Sequence, residues 1–210
     1  LSIINANTRN EKIKNFIVNN KNKIISAIII LIIIIVSVYS YDNYLTSKKK
    51  EISDNFNSIT NQYNESNKEK TANSLIEIIN KKDPTYSPLS LYFIIDNNLV
   101  TDKKLVNPLI DLIINEVGLD DEVKNLIMYK KALYNAQNVN EVNLLNMLNP
   151  IINSESVWKS HALYLAAEYF YFKNQKQKAK EFFDKIISSE NSNPDIRLQA
   201  EKRLNRDLSE

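Results

Sequence analysis

The longest feature of the hydrophobic pattern is an uncharged apolar run from Ile24 to Tyr41 that contains no Gly or Pro. As an α-helix its eighteen positions span roughly 27 Å, close to the ~30 Å hydrocarbon core of a bilayer. A helix pairs its own backbone N–H and C=O groups, as lipid requires. We therefore predict a transmembrane anchor helix over residues 24–41, with side chains in the lipid that include Ile24, Ile28, Leu31, Ile35, Val38 and Tyr41.

Two other interpretations of this run are a buried core helix and a cleaved signal sequence. A core helix of a soluble domain would usually carry a polar stripe, which this run lacks. A cleavable signal has a shorter apolar region, with small residues before the cut. Here the run ends in Tyr39 and Tyr41, with Tyr44 just beyond, and tyrosine suits the membrane interface. We favour a retained anchor.

The basic residues around the run predict its orientation. Before it lie Arg9, Lys12, Lys14, Lys21 and Lys23, whereas Lys48, Lys49 and Lys50 follow it at a distance. Because Lys and Arg favour the cytoplasmic side, we expect residues 1–23 to form a cytoplasmic basic tail. Residues 42–210 would then form a domain outside the cytoplasmic membrane, in the periplasm of a bacterial cell.

After the anchor, apolar residues recur every three or four positions, the period of amphipathic helices. Ser87-Pro88 and Asn193-Pro194 each combine a capping residue with a proline suited to the first helical position. The predicted helices cover about 48–63, 68–81, 87 onward, 103–116, 122–137, 140–148, 156–172, 175–188 and 194–208.

Several boundaries in this pattern depend on single residues. Asp83-Pro84 is expected to stop the second helix, Gly118 the fourth and Asn149-Pro150 the sixth. Pro108 leaves two possibilities for the fourth helix, which either begins there with Asn107 as its cap or is kinked. The carboxylates at 120–122 are expected to cap the fifth helix and to favour its dipole.

The helices show a repeat. Leu91, Ile127 and Leu163 occupy equivalent places at intervals of thirty-six residues, near the ~34 of a tetratricopeptide repeat. The clearest copy begins at Ser160, where two small alanines allow close helix approach and two phenylalanines fill the space beside them. We predict an all-α fold, an α-solenoid of degenerate tetratricopeptide-like hairpins with a C-terminal capping helix, packed through Leu163, Ala167, Phe170, Ala179 and Phe183.

Composition narrows the chemistry. A formal net charge of +2 gives no basic field for nucleic acid, and the absence of cysteine excludes thiolate chemistry and a lipoprotein acyl anchor. Gly118 is the only glycine, so no glycine-rich phosphate loop exists. His161 is the only histidine and lacks partners for a metal site. We expect no enzyme activity, no cofactor and no small-molecule substrate.

The seventh predicted helix offers a candidate binding face. His161, Tyr164, Glu168 and Tyr171 follow one another at spacings of three, four and three, away from the predicted core positions. In stacked repeats this face lines the concave groove, so these four are the candidate partner-binding residues. The alternative is an ordinary solvated face. Trp158, which opens the helix, is expected to pack in the core or as a hydrophobic staple, and the alternative is a binding anchor.

The whole arrangement resembles the ancillary SecYEG translocon subunit family, whose members have one anchor followed by degenerate tetratricopeptide repeats. The resemblance covers nearly the full chain, and the matching stretches are KIKNFIVNNKNKIISAIII, SPLSLYFIIDNN, DDEVKNLIMYKKALYNAQ, SESVWKSHALYLAAEYFYFKNQKQKAKEFFDKII and RLQAEKRL. The departures are Lys131 and Asn143, where the repeat prefers small residues, and the weak pattern of the first two hairpins.

The resemblance implies an inner-membrane protein with a periplasmic repeat domain. Its implied partners are the SecYEG translocon, a membrane-anchored periplasmic chaperone and unfolded secreted chains, whose passage it would assist. Two other hypotheses remain at the level of the sequence. The chain could serve another envelope assembly complex, for the outer membrane or for cytochrome maturation, or it could be an enzyme of a kind that needs none of the motifs above.

Overall fold

The chain folds almost entirely into helices. The computed structural model describes the backbone of residues 2–208 and the side chains of residues 9–208, with 82% of the chain helical and no strand in the described part. The all-α prediction is confirmed. The α-helices are α1 Ser2–Asn19, α2 Lys21–Asn61, α3 Lys68–Asn80, α4 Tyr86–Asp96, α5 Lys103–Glu116, α6 Asp121–Asn135, α7 Glu141–Ile152, α8 Lys159–Phe172, α9 Lys176–Ser188 and α10 Pro194–Asp207, with 3₁₀ turns at Glu65–Asn67 and Ala136–Asn138.

The chain divides into two compact units, Leu1–Asp54 and Asn55–Glu210. The first unit contains α1 and most of α2. The apolar window of α2 has a mean hydropathy of 2.8, and none of it is buried. This helix is long and apolar enough to span a membrane, which is consistent with a single-pass anchor. Of the six predicted lipid-facing residues, Ile24 is partly covered and Ile28, Leu31, Ile35, Val38 and Tyr41 are exposed.

One predicted boundary in this region is wrong. The sequence suggested a separate helix from about Lys48, but α2 runs without interruption from Lys21 to Asn61. The residues at 42–47 include neither Pro nor Gly, so nothing in them breaks the backbone hydrogen-bond ladder.

The second unit is built from helices that pack in sequence. Helix α3 packs on α4, α6 on α7 and α8 on α9, and each later pair also contacts the helix that follows it. Helix α8 touches α6, α7, α9 and α10. The five predicted packing residues Leu163, Ala167, Phe170, Ala179 and Phe183 all lie in one core cluster with at most 3% of their surface exposed. Their burial is observed, and their role in a repeat remains a prediction.

The start of α4 differs from the prediction. The helix begins at Tyr86 and is preceded by Thr85, so Ser87 is not its cap. Asp83 accepts hydrogen bonds from the backbone N–H groups of Thr85 and Tyr86, both at 2.8 Å. Ser87 is fully buried and its hydroxyl donates to the carbonyl groups of Ile78 and Ile79, at 3.2 and 3.1 Å. The serine thus ties α4 to the end of α3.

Two prolines lie inside helices. Asp102 caps α5, accepting from the Lys104 N–H at 2.8 Å, so Pro108 does not begin the helix. Pro150 lies inside α7, and the prediction that Asn149-Pro150 closes it is wrong. Helix α7 continues to Ile152 and thereby buries Ile151 completely. That burial offsets the hydrogen bond that proline cannot donate.

Asparagine and lysine, not glycine, end helices in a left-handed turn. Lys82, Asn98 and Asn174 have φ of 55°, 49° and 59°, after α3, α4 and α8. Following Asn174, the Gln175 N–H donates to the Phe170 carbonyl at 2.9 Å, as in a Schellman turn. Helix α5 ends at Glu116 with Val117 extended, and Gly118 has no positive φ. Gly118 therefore does not provide the predicted glycine cap.

We expect the anchor to be separable from the second unit. Deleting residues 24–41 should convert a membrane-bound protein into a soluble helical one, because those side chains are exposed and contribute nothing to the core. Carbonate extraction of membranes measures whether the deletion variant is still membrane-bound, and circular dichroism measures whether it is helical. An aggregated variant without helical signal would contradict the prediction.

The core of the second unit should depend on Phe183. Because its ring is fully buried, Phe183→Ala should lower the free energy of unfolding by about 3–5 kcal/mol. The matched control is Phe172→Ala, since that ring is 83% exposed, with an expected change within ~0.5 kcal/mol. Urea unfolding of the deletion variant gives both values, and equal effects would show that the core is misassigned.

Candidate protein-binding site

The four candidate residues lie along α8, and all four are half-buried. They do not line one open face, because each contacts a neighbouring helix. His161 contacts Tyr129 of α6, Tyr164 contacts Phe183 of α9, and Glu168 and Tyr171 contact Arg203 of α10. The structure therefore divides them into an aromatic end and a charged end.

The aromatic end is a cluster of Tyr129, Trp158 and His161. The His161 ring lies 5.1 Å from Trp158 and 5.9 Å from Tyr129, measured between centroids, and the Tyr129 and Trp158 rings stack at 6.2 Å with an angle of 16°. Burial lowers the pKa of His161. Trp158 packs against the core cluster but is only partly buried, so part of its ring remains available to a ligand.

Tyr164 lies between the two ends. Its ring meets that of Phe183 at 5.5 Å in an edge-on arrangement. Burial raises the pKa of the Tyr164 hydroxyl, and the neighbouring Glu168 carboxylate adds to the shift. The tyrosine is therefore neutral at physiological pH and can donate a hydrogen bond.

The charged end is organised by Arg203 of α10. Its Nε donates to Oε1 of Glu168 at 2.6 Å and its Nη2 to Oε2 at 2.9 Å, a bidentate pair. The guanidinium carbon also lies 4.4 Å from the centroid of the Tyr171 ring, a cation–π contact. Only 17% of the Arg203 side chain is exposed. Glu168 and Tyr171 thus serve as the docking site of α10.

Asp207 completes this network. It accepts hydrogen bonds from Arg203 and from Arg206, whose Nε and Nη2 lie 2.8 and 2.9 Å from its two oxygens. The hydrogen bonds from Arg206 lower the pKa of Asp207, and the charge of Arg203 lowers it further. The hydrogen bond to Glu168 raises the pKa of Arg203. Arg203 and Asp207 are consequently charged at neutral pH.

Sequence reasoning missed Arg203 and Asp207. The available signal was their spacing of four on one helix, which is typical of an ion pair. That spacing could not show that Arg203 reaches Glu168, thirty-five residues earlier, because the contact requires α10 to lie beside α8.

A cleft of about 400 Å³ opens beside α6, where the sequence departs from the repeat pattern. It is lined by α5, α6 and α7. Lys131 and Asn143, the two departures, both line it, and Lys131 pairs with Asp111 at 2.5 Å. Lys131 and Asn143 therefore lie at a polar cleft, whereas Ala167 and Ala179 are fully buried between α8 and α9.

The carboxylates at the start of α6 have separate roles. Asp120 is the N-cap residue, as predicted, but its side chain makes no capping hydrogen bond. Glu122 instead accepts from the Ser156 hydroxyl at 2.8 Å and the Val157 N–H at 3.3 Å. It therefore fixes the loop before α8. Among the described side chains, no group of three His, Asp or Glu residues is arranged to hold a metal ion.

Comparison of the chain with protein-family models, curated proteins and solved structures found no match. Function is therefore inferred from the sequence and the geometry of the chain itself. The arrangement on α8 and α10 offers aromatic faces, a neutral hydroxyl and paired charges. Such groups can bind a peptide or a protein surface through stacking and hydrogen bonds.

The ion pairs of Asp207 should stabilise the fold at neutral pH, and this contribution should be lost at acid pH. Its pKa is lowered in the folded state, so its contribution is present above the ordinary value near 3.9 and is lost as the pH falls through the lowered one. We expect the urea midpoint to fall below about pH 4 and to fall less in Asp207→Asn. The exposed Asp184→Asn is the matched control and should follow the parent chain. Parallel curves for all three proteins would contradict the prediction.

Proposed function

We propose that this protein is a non-enzymatic, membrane-anchored scaffold whose second unit stacks tetratricopeptide-like hairpins and binds protein partners. Two hydrogen-bonded contacts at equivalent places in successive helix pairs carry the proposal. Together they support a repeat that the sequence shows only weakly.

The first of these contacts starts from Glu122, the second residue of α6, which binds Ser156 in the segment before α8. The second starts from Ser160, the second residue of α8, whose Oγ accepts from the N–H of Asn193, the cap of α10, at 3.0 Å. In each case the first turn of one helix pair is hydrogen-bonded to the segment that leads into the next helix, α8 or α10. The sequence separations are 34 and 33 residues, as expected for repeats of ~34 residues.

Two further contacts have similar separations. Gln175 contacts Glu141 across 34 residues, and Arg203 contacts Glu168 across 35. The packing order also fits, because α7 and α9 each contact their own partner helix and the next one. In a stack of this kind α6 and α8 are the first helices of their pairs, and α10 is a capping helix.

The first helices of stacked hairpins line the concave surface with which such proteins bind their partners. The partly buried aromatic rings at 129, 158, 164 and 171 lie on α8 and α6 or at the start of α8. Rigid aromatic side chains bind a partner with little loss of conformational entropy. We assign the binding surface to this side of the second unit.

The partner and the compartment follow from the resemblance to the ancillary SecYEG translocon subunit family. On that basis the second unit is periplasmic, α2 crosses the inner membrane, and the protein associates with the translocon and a membrane-anchored chaperone to assist secreted chains. The exposed apolar surface of α2 supports the anchoring. The periplasmic location also agrees with the excess of basic residues before the anchor.

A pull-down of the tagged full chain from native membranes in mild detergent tests the proposal. We expect translocon subunits in the eluate, and their recovery should fall severalfold in Trp158→Ala at the aromatic end, because a central aromatic contact contributes more than ~1 kcal/mol to binding. Tyr164→Phe removes only the hydroxyl, so it distinguishes the contribution of that hydroxyl to partner binding from the contribution of the ring. The exposed Lys180→Ala on α9 is the control and should leave recovery unchanged.

Circular dichroism must show that each variant stays folded, because Trp158 also packs against the core cluster. Recovery of a different envelope complex without the translocon would retain the scaffold and overturn the named partner. Recovery of the translocon at equal levels from all variants would overturn the binding surface.

A further inference from the structure

Helix α1 has a face for which the proposed function provides no role. Ile13, Phe16 and Ile17 follow the spacing of one face of a helix, and each side chain is at least half exposed. Glu11 and Asn15 lie on the far side, at ~100° per residue. The helix therefore has an apolar stripe at 13, 16 and 17 that no described residue covers, and the exposed Val18 lies toward its far side.

The flanks of this stripe are basic. Lys12 and Lys14 are the chain neighbours of Ile13, and so point roughly 100° to either side of it. Arg9 lies one turn earlier. Within residues 9–208 none of these three cations forms an ion pair with a carboxylate. Long basic side chains beside an apolar stripe can extend to lipid headgroups while the stripe enters the acyl boundary.

The position of α1 in the chain brings the stripe to the membrane. Phe16 precedes Ile24, where the apolar run begins, by eight residues. Eight residues span ~12 Å as a helix and at most ~29 Å when extended. If α2 crosses a bilayer, α1 cannot leave the neighbourhood of its surface. Lys21 and Lys23 then lie at the headgroups and add to the positive charge.

To lie along that surface α1 must turn at Asn20, where backbone hydrogen bonds from Asn20 to Phe16 and from Ile24 to Asn20 continue the helix at 3.0 and 2.9 Å. Asn20 separates α1 from α2. The Phe16 carbonyl accepts from the backbone N–H of Asn20 at 3.0 Å and from its side-chain Nδ2 at 2.9 Å. A side chain that competes for a backbone acceptor weakens a helix locally, and Asn19 is also a poor helix former.

We propose that α1 is an interfacial helix that binds the anionic lipid surface beside the anchor, with Ile13, Phe16 and Ile17 in the acyl boundary and Arg9, Lys12 and Lys14 on the headgroups. The inference requires that α2 spans the bilayer and does not depend on the partner of the second unit. The occupant is an anionic lipid leaflet, because apolar and unpaired basic groups alternate around one helix and no acidic residue lies on that side.

Site-directed spin labelling of the full chain tests this directly, because the protein contains no cysteine. Nitroxides at Phe16→Cys and Asn15→Cys, on opposite faces, are compared in bilayers containing phosphatidylglycerol. We expect collisions with oxygen to be severalfold more frequent at 16, and collisions with a water-soluble nickel chelate to be more frequent at 15. A scan from 12 to 18 should repeat every ~3.6 residues.

A label at Leu31→Cys verifies insertion, since it must be accessible to oxygen and not to nickel. Equal nickel accessibility at 15 and 16 would overturn the proposal, as would a label at 16 shielded from both reagents, which indicates burial against protein. A label at Leu31 open to nickel would overturn the premise of a spanning helix.

Charge is tested in the same samples. Each of Lys12→Gln and Lys14→Gln should lower the ratio of immersed to water-exposed label at 16 by about fivefold, whereas Lys180→Gln in the second unit should not change it. An equal ratio in bilayers of phosphatidylcholine alone would overturn the anionic part of the proposal.

Discussion

The burial of α8 is the constraint on which the second unit depends. Half of its fourteen residues are buried, and they lie on several sides of the helix: Ser160, Ala162, Leu163, Ala166, Ala167, Tyr169 and Phe170. One partner helix can cover only one side. Helices α6, α7, α9 and α10 must therefore all be in place before α8 leaves water, and the alanines let them approach closely. Burying Phe170 alone contributes about 1.5–3 kcal/mol. Because this burial needs all of these helices at once, they form one cooperative structure.

Local signals predicted much of this arrangement. The pairing of α8 with α9 was readable from Ala167, Phe170, Ala179 and Phe183, because those residue types at those spacings fit one geometry. The start of α10 was readable from Asn193-Pro194, and Asn193 does cap it. The boundaries that failed were decided by tertiary burial. The burial of Ile151 stabilises the last turn of α7 beyond Pro150, a residue that would otherwise end the helix.

The charged end of the candidate site was predictable only in part. Glu168 was identified as a residue outside the core, but its partner Arg203 required the position of α10. The consequence for binding is physical. A ligand that uses Glu168 must compete with a bidentate pair in which Arg203 is 17% exposed and Glu168 is 35% exposed, and binding it would leave the mostly buried Arg203 without its partner. The aromatic end has no such competitor, so it is the better anchor for a partner.

The use of isoleucine differs most clearly between the two units of the chain. In the second unit Ile79, Ile94 and Ile110 are at most 1% exposed. In α2 the side chains from Ile28 to Ile35 are all half exposed or more, on every side of the helix. Each Å² of apolar area that stays in water costs roughly 25 cal/mol of free energy relative to burial, and here the exposed surface extends over eight consecutive residues. A bilayer would remove that cost, because lipid can cover all sides of one helix at once, as no single protein surface can.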